Sequence, residues 1–157
     1  MRYLLIVVMA GMLGACARGD IIATPTPNEI IKVAYIENTQ NQKATWLADN
    51  NNLSVRLTKR DHNGRVIFNK SIKSDPNSFN WLITNLEKAN FTQIPSYNQT
   101  QGPNLVGQTE RPYPANSKVV VITTLGQKYT YVQSSASRIP EDIAKIGEAM
   151  PNVFRID

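Results

Sequence analysis

The side chains that most often carry catalysis or bind metals are scarce in this chain. It has one cysteine, Cys16, and one histidine, His62. A metal centre needs several such donors in a cluster, so the composition argues against one. A serine or cysteine hydrolase would need His62 as its base, but the surrounding DHNG, residues 61–64, is typical of a turn and does not resemble a nucleophile elbow. We therefore expect neither a metal site nor a hydrolase.

Two further patterns could do chemistry, and each has a simpler structural explanation. Glu141 and Asp142 form an acidic pair directly after Pro140, where we expect a helix to begin. Acidic residues in a first turn complement the helix dipole, which accounts for the pair without acid and base catalysis. The GQK triplet at residues 126–128 lies in an expected hairpin turn and not before a helix, so it does not form a phosphate-binding loop. We expect the protein not to be an enzyme and to bind no cofactor.

The first fifteen residues are typical of an export signal. Met1 and Arg2 come first, the apolar run YLLIVVMAGML follows, and the small residues Gly14 and Ala15 end the segment. A basic start, an apolar middle and small residues before a cut describe a signal peptide. The run is shorter than the about 20 apolar residues that a membrane-spanning helix needs. We therefore expect residues 1–15 to be removed.

A cysteine motif stands at the end of this signal. Leu13, Gly14, Ala15 and Cys16 resemble the lipobox of bacterial lipoproteins, which implies that Cys16 becomes the first mature residue and carries fatty acids such as palmitate. A thiolate is a suitable nucleophile for diacylglycerol transfer, and two or more acyl chains anchor a protein stably. The next residue is alanine and not aspartate, which by the same resemblance implies the outer membrane. The alternative is an ordinary secreted protein with a free or buried cysteine.

Length and charge limit the number of domains and the kinds of partner expected for the rest of the chain. Removal of 15 of the 157 residues leaves 142, which is the size of one domain. Pro25 and Pro27 stand in a segment with little periodicity, so we expect a lipidated tether over residues 16–30 and a single domain over residues 31–157. The formal net charge of +5 comes without a stacking platform for bases, so we expect no nucleic-acid partner.

Hydrophobic periodicity and turn residues predict the elements of this domain. They are a strand over residues 31–37, a hairpin over residues 53–72, a helix over residues 76–89, a second hairpin over residues 117–134, and a helix that Pro140 opens and Pro151 closes. Residues 44–52 show no clear pattern, although we expect Trp46 and Leu47 to reach the core.

These elements predict an α+β fold. Two hairpins would form an antiparallel sheet with two helices packed on one face, in the order ββα-ββα, and an extra N-terminal strand would precede them. The spacing is similar in the two halves, because Gly64 precedes Pro76 by 12 residues and Gly126 precedes Pro140 by 14. This suggests an internal duplication, although two unrelated units of this type would look similar.

The long connection before the second hairpin is a candidate for partner binding. Residues 95–116 are rich in proline and poor in charge, and loops of this length are commonly functional. Tyr97, Pro112, Tyr113 and Pro114 could supply rigid anchors of the type that dominates binding hot spots. The hairpins could also present a strand edge to an extended peptide. The alternative is an insertion without a function.

The C-terminal half carries three segments in a fixed order: LITNLEKANFTQIP, KVVVITTLGQKYTYV and RIPEDIAKIGEAM. They resemble the small emfourin-type protease inhibitors, over about half of the chain, and this resemblance implies inhibition without assigning an inhibitory residue. We expect a lipoprotein of the outer membrane, facing the periplasm, that binds another protein as an accessory or assembly component of an envelope complex. The alternative is a periplasmic inhibitor or immunity-type protein that blocks a protease or toxin.

Overall fold

The computed structural model describes residues 28–96, 113–135 and 138–157. Within these ranges the chain is an α+β fold, which confirms the expected fold class. The elements are β1 (Ile30–Asn38), β2 (Gln42–Asp49), β3 (Ser54–Asp61), β4 (Val66–Lys73), α1 (Pro76–Lys88), a 3-10 helix (Phe91–Gln93), β5 (Ser117–Thr124), β6 (Lys128–Gln133) and α2 (Glu141–Phe154).

The six strands form one antiparallel sheet with the order β4-β3-β2-β1-β5-β6. The first four strands follow one another as a meander. β5 then pairs with the other side of β1, where Tyr35 lies opposite Val120. Because of this step, β1 and β2 become the centre of the sheet, and β4 and β6 become its edges.

Among the described residues four strands precede α1, one more than the sequence predicted. The missed strand is β2. Its inward positions are held by Ala44, Trp46 and Ala48, and alanine is depleted in strands, which hides the alternation. Trp46 reaches the core, where its Nε1 donates a hydrogen bond to the Ile156 carbonyl oxygen at 3.2 Å, but Leu47 points to the opposite face.

The main core lies between one face of the sheet and the two helices. Its sheet side consists of alternating residues from neighbouring strands, and its helix side consists of residues at helical spacing, which give each helix one apolar face. The largest fully buried side chains in it include Tyr35, Leu57, Phe79, Leu82, Leu86, Ile122, Ile143 and Met150.

A smaller apolar cluster lies on the opposite face, under the β1, β5 and β6 end of the sheet. It consists of Ile36, Val119, Val121 and Val132, with Ala34 and Tyr113 packed against it. β5 therefore buries side chains on both of its faces. This explains why its valine run lacks the polar alternation of a strand with one wet face.

The start of α1 is fixed by its cap. Asp75 accepts hydrogen bonds from the backbone N–H groups of Asn77 at 2.8 Å and Ser78 at 3.1 Å, and Pro76 occupies the first helical turn. These are the residue types expected at a helix start. The hydroxyl and backbone N–H of Ser78 stabilise the charged carboxylate, which lowers the pKa of Asp75.

α2 continues past Pro151 to Phe154, so the expected end at that proline was wrong. A proline inside a helix costs about 3 kcal/mol. Burial of a large apolar side chain stabilises by about 1.5–3 kcal/mol, and both Phe154 and Ile156 are buried. The Phe154 ring packs 5.0 Å from the ring of Phe79, so tertiary packing offsets the local penalty.

Gly147 sets the distance between α2 and the sheet. A Cβ atom at this position would lie 2.7 Å from Cγ2 of Val120 and 2.8 Å from Cδ2 of Tyr35. Both neighbours are fully buried side chains, Val120 on β5 and Tyr35 on β1. The helix can approach this closely only because residue 147 has no side chain.

We expect Gly147→Ala to lower the free energy of unfolding by about 1–3 kcal/mol, because the added methyl group overpacks the core. This outcome runs against helix propensity, which favours alanine over glycine by about 1 kcal/mol. Denaturant unfolding measures the change. In the double variant with Val120→Ala, the cost should be smaller than the sum of the two single changes. A Gly147→Ala protein as stable as the wild type would contradict the proposed close approach.

Candidate partner-binding surface

The edge strand β4 exposes its side chains on both faces. Every residue from Val66 to Lys73 is exposed except Ile72, which is partly buried against the core. The exposed residues include three consecutive large apolar side chains, Val66 at 49 %, Ile67 at 58 % and Phe68 at 38 % of their full accessible area. Exposed apolar surface is a feature of interaction sites, so these side chains make β4 a candidate.

In the described ranges, the backbone of β4 has a partner strand on one side only. It pairs with β3 from Lys73 to Val66, and no further strand within the described residues pairs with its outer side. The register skips Ile67, which forms a bulge between the pairs Lys59 with Phe68 and Arg60 with Val66. The regular part of the exposed edge therefore runs from Phe68 to Lys73, long enough for one short added strand.

The opposite edge, β6, is closed at its middle by a side chain. The Ser96 hydroxyl accepts a hydrogen bond from the Thr130 backbone N–H at 2.8 Å and donates one to the Thr130 carbonyl oxygen at 3.3 Å. Ser96 is 3 % exposed, so both backbone groups of Thr130 are satisfied away from water. The two edges thus differ, because Ser96 protects β6, whereas no segment among the described residues covers β4.

The surface around β4 is strongly basic. Residues 42–73, which span β2 to β4, hold seven lysines and arginines and two aspartates, a net charge of +5. The seven basic residues are Lys43, Arg56, Lys59, Arg60, Arg65, Lys70 and Lys73. Lys70 lies on the same side of β4 as Phe68 and Ile72, and Lys73 lies on the other side with Asn69 and Ser71, because side chains alternate along a strand.

Both aspartates of this region are occupied by local contacts. Asp49 pairs with Lys32 at 3.4 Å. Partial burial opposes ionisation of this carboxyl, but hydrogen bonds from Asn52 and the Lys32 ammonium outweigh it and lower the pKa. Asp61 accepts hydrogen bonds from the backbone N–H groups of Asn63 and Arg65, each at 2.9 Å, in the turn between β3 and β4. Gly64 completes this turn with a φ of +78°.

Three of these cations contact uncharged groups, which leave their charge unneutralised. The Lys59 ammonium lies 5.3 Å from the centre of the Phe68 ring. Arg60 donates to the Gly64 carbonyl oxygen at 2.9 Å, and Lys73 donates to the Asn52 carbonyl oxygen at 2.7 Å. These contacts position positive charge along the hairpin, and an anionic ligand would meet it there.

The structure describes two of the four anchor residues expected in the long connection. Tyr113 packs against the second apolar cluster, and the Lys43 ammonium lies 5.6 Å from its ring centre. The carbonyl oxygens of Tyr113 and Pro114 both accept hydrogen bonds from the Asn38 side chain, at 3.0 and 2.8 Å. Tyr97 and Pro112 lie outside the described residues, as do Cys16, the expected signal peptide and most of the expected tether.

The other residues considered for chemistry lie exposed in a turn or make an ordinary surface ion pair. His62 is exposed in the β3–β4 turn. Glu141 pairs with Lys145 one turn along α2 at 2.5 Å.

Two buried tyrosines have raised pKa values. Burial raises the pKa of Tyr131 to about 12, and burial with the nearby Glu37 carboxylate raises the pKa of Tyr35 above its ordinary value. Neither phenol ionises near neutral pH.

An open groove of about 430 Å³ lies between α1 and α2. Trp81 lines it and is 36 % exposed, together with Lys88, Asp142 and Lys145. Charges of both signs stand at its rim, and Lys145 already pairs with Glu141. The groove therefore selects no ligand chemistry as clearly as the basic edge strand does.

Sequence reasoning named a strand edge as a candidate binding surface but did not say which strand would supply it. The available signal was in the residues of β4, where VIF is followed by Lys70 and Lys73. Lysines are typical of edge strands, because they discourage pairing with another copy of the same edge. The strand order could not be obtained this way, because it depends on where β5 pairs.

We compared the chain with family models, curated proteins and solved structures, and none of them matches it. In the part of the chain that the structure describes, no helix is both long and apolar enough to cross a membrane. Within the same residues, no group of three or more histidine, cysteine, aspartate or glutamate side chains could hold a metal ion.

We expect Ser96→Ala to lower the free energy of unfolding by about 1–3 kcal/mol, because it leaves the buried N–H of Thr130 without a partner. Ser71→Ala on the exposed edge is the matched control and should change stability by less than about 0.5 kcal/mol. Amide hydrogen exchange at Thr130 should also become faster in the Ser96 variant. Equal stability of the two variants would show that Ser96 does not close the β6 edge.

Proposed function

We propose that this protein is a lipid-anchored component of the bacterial cell envelope that binds another envelope protein through the outer edge of β4. The observation that carries the proposal is the contrast between the two sheet edges. β6 is closed by Ser96, whereas β4 exposes apolar side chains and pairs on one side only within the described chain. Such an edge accepts an extended segment as an additional strand, with backbone hydrogen bonds supplying affinity and side chains supplying specificity.

The anchoring part of the proposal is supported by the sequence motif around Cys16. The chain has no second cysteine, so a lipidated Cys16 leaves no thiol for a disulfide. Fourteen residues lead from Cys16 to Ile30, where β1 begins. Even fully extended, this length spans at most about 50 Å. The domain would work close to the membrane, where its partner must also lie.

An accessory or assembly role suits this arrangement better than catalysis. The exposed chemistry of the domain is a strand edge with apolar and basic side chains, and its buried tyrosines keep their protons near neutral pH. Strand addition needs no reacting group, because it uses the main-chain hydrogen bonds of the edge. The same edge could serve the alternative role of an inhibitor, in which the added strand belongs to a protease or toxin.

We expect the wild-type protein to incorporate an alkyne-tagged palmitate in cells and to fractionate with the outer membrane. Cys16→Ser should abolish labelling, because the thiol that accepts the lipid is lost. Ala17→Asp is the matched control for sorting, since it should keep the label but move the protein to the inner membrane. Labelling that persists in the Cys16→Ser protein would contradict the assignment of the anchor.

We expect a photoreactive phenylalanine analogue at Phe68 or Asn69 to crosslink the protein in cells to one defined envelope protein. The same analogue at Leu125 or Glu87 is the control, because both positions are exposed but lie away from β4. Mass spectrometry of the adduct should find the crosslink in an extended segment of the partner. Crosslinks of equal yield from all four positions, or from Leu125 and Glu87 only, would exclude β4 as the binding edge.

A further inference from the structure

The net charge of this protein is concentrated in one half of its sheet. The whole chain carries 17 basic and 12 acidic residues, and residues 42–73 carry seven and two of these. The remainder therefore holds ten of each sign, and the entire formal charge of +5 belongs to residues 42–73, which comprise β2, β3, β4 and the turns between them. The helices and the β5–β6 hairpin lie outside this basic region.

The geometry points to an acidic extended segment as the strand that β4 accepts. This inference rests on the proposed function and names the chemistry of the partner. β4 itself contains Lys70 and Lys73 and no acidic residue. A strand placed beside it would have side chains directly opposite both lysines, about 5 Å away, where opposite charges attract and like charges repel. The cations of β3 lie one strand further from it, about 10 Å away, which is slightly more than the screening length of about 8 Å at physiological salt, so they add a weaker attraction.

A second copy of the chain does not suit this edge. Antiparallel pairing of β4 with β4 of another copy would bring the lysines of two like strands together. The bulge at Ile67 also bends the edge away from the regular geometry that extended pairing needs. Both features favour a strand of different sequence and opposite charge over a second copy of β4.

The order of side chains on β4 specifies the pattern of its partner. On the helix side of the sheet the exposed edge presents Phe68, Lys70 and Ile72, and on the other side it presents Asn69, Ser71 and Lys73. The matching strand has apolar side chains opposite Phe68 and Ile72 and acidic ones opposite Lys70 and Lys73. An antiparallel segment of the sequence EVTETV has this arrangement.

The test uses two capped peptides, EVTETV and its charge-reversed form KVTKTV. Binding to the purified full-length chain in uncharged detergent is measured by peptide fluorescence anisotropy, and backbone amide shifts locate the site. We expect the glutamate peptide to bind about tenfold more tightly than the lysine peptide, to perturb the amides of β4 and β3, and to weaken as salt is raised. The double variant Lys70→Glu with Lys73→Glu should reverse this preference, and both changes are at exposed positions.

Two controls separate strand addition from charge alone. Two further glutamate peptides are N-methylated at alternate residues, one at the odd-numbered and one at the even-numbered positions, and both keep the charge. In one of the two, the methyl groups replace the N–H hydrogens that would bond to β4, so this peptide should not bind. The variant Lys88→Glu on the exposed end of α1 makes a charge change away from the edge and should leave the preference intact.

Equal affinity for the two peptides, binding of neither, or shifts outside β3 and β4 would overturn the inference. Shifts of the β4 amides caused by anionic phosphatidylglycerol in the micelle, with none caused by peptide, would also overturn it, since the anionic ligand would then be lipid. Photocrosslinking at Phe68 distinguishes a failure of the acidic specificity from a failure of the proposed binding edge. A partner captured there, with no charge preference, would leave the binding edge in place and remove only its acidic specificity.

Discussion

The pairing of β5 with β1 is the constraint on which the rest of the structure depends. It joins residues far apart in the chain, such as Tyr35 and Val120. The entropy of closing a long connection grows slowly, by about 0.6 kcal/mol for each doubling of its length, so the intervening segment does not prevent the pairing. Once β5 lies beside β1, the β1–β2 pair is interior, α2 has two central strands to pack on, and Gly147 allows it to approach them closely.

Local patterns in the sequence were sufficient for the elements that local interactions determine. The start of α1 follows from Asp75 and Pro76, and the β3 strand follows from strict alternation ending at a turn with Gly64. β2 was missed because alanine occupies two of its inward positions. The end of α2 was missed because Phe154 and Ile156 gain more from the core than Pro151 costs, a balance that only tertiary packing reveals.

The candidate site shows the same division between local and non-local information. The sequence contained the basic and apolar residues of β4, and it suggested a strand edge as one means of binding. It could not identify β4 as the exposed edge, since that depends on β5 pairing with the opposite end of the meander. Nor could it show that Ser96 closes β6, because a contact between Ser96 and Thr130 leaves no periodic trace. Of the residues expected in the long connection, Tyr113 covers part of an apolar cluster on the sheet.

The central position of β1 has a mechanical consequence. A pull on the chain that precedes Ile30 acts on a strand bonded along both sides, to β2 and to β5. The force runs parallel to the strand and perpendicular to these hydrogen bonds, so it shears two ladders at once and cannot open one bond at a time. A load applied at the β4 edge would cross three strand ladders before it reached β1. The chain order thus places the segment that enters the domain before Ile30 at a strand bonded on both sides, and leaves β4, which is bonded on one side within the described residues, at the far end of the sheet.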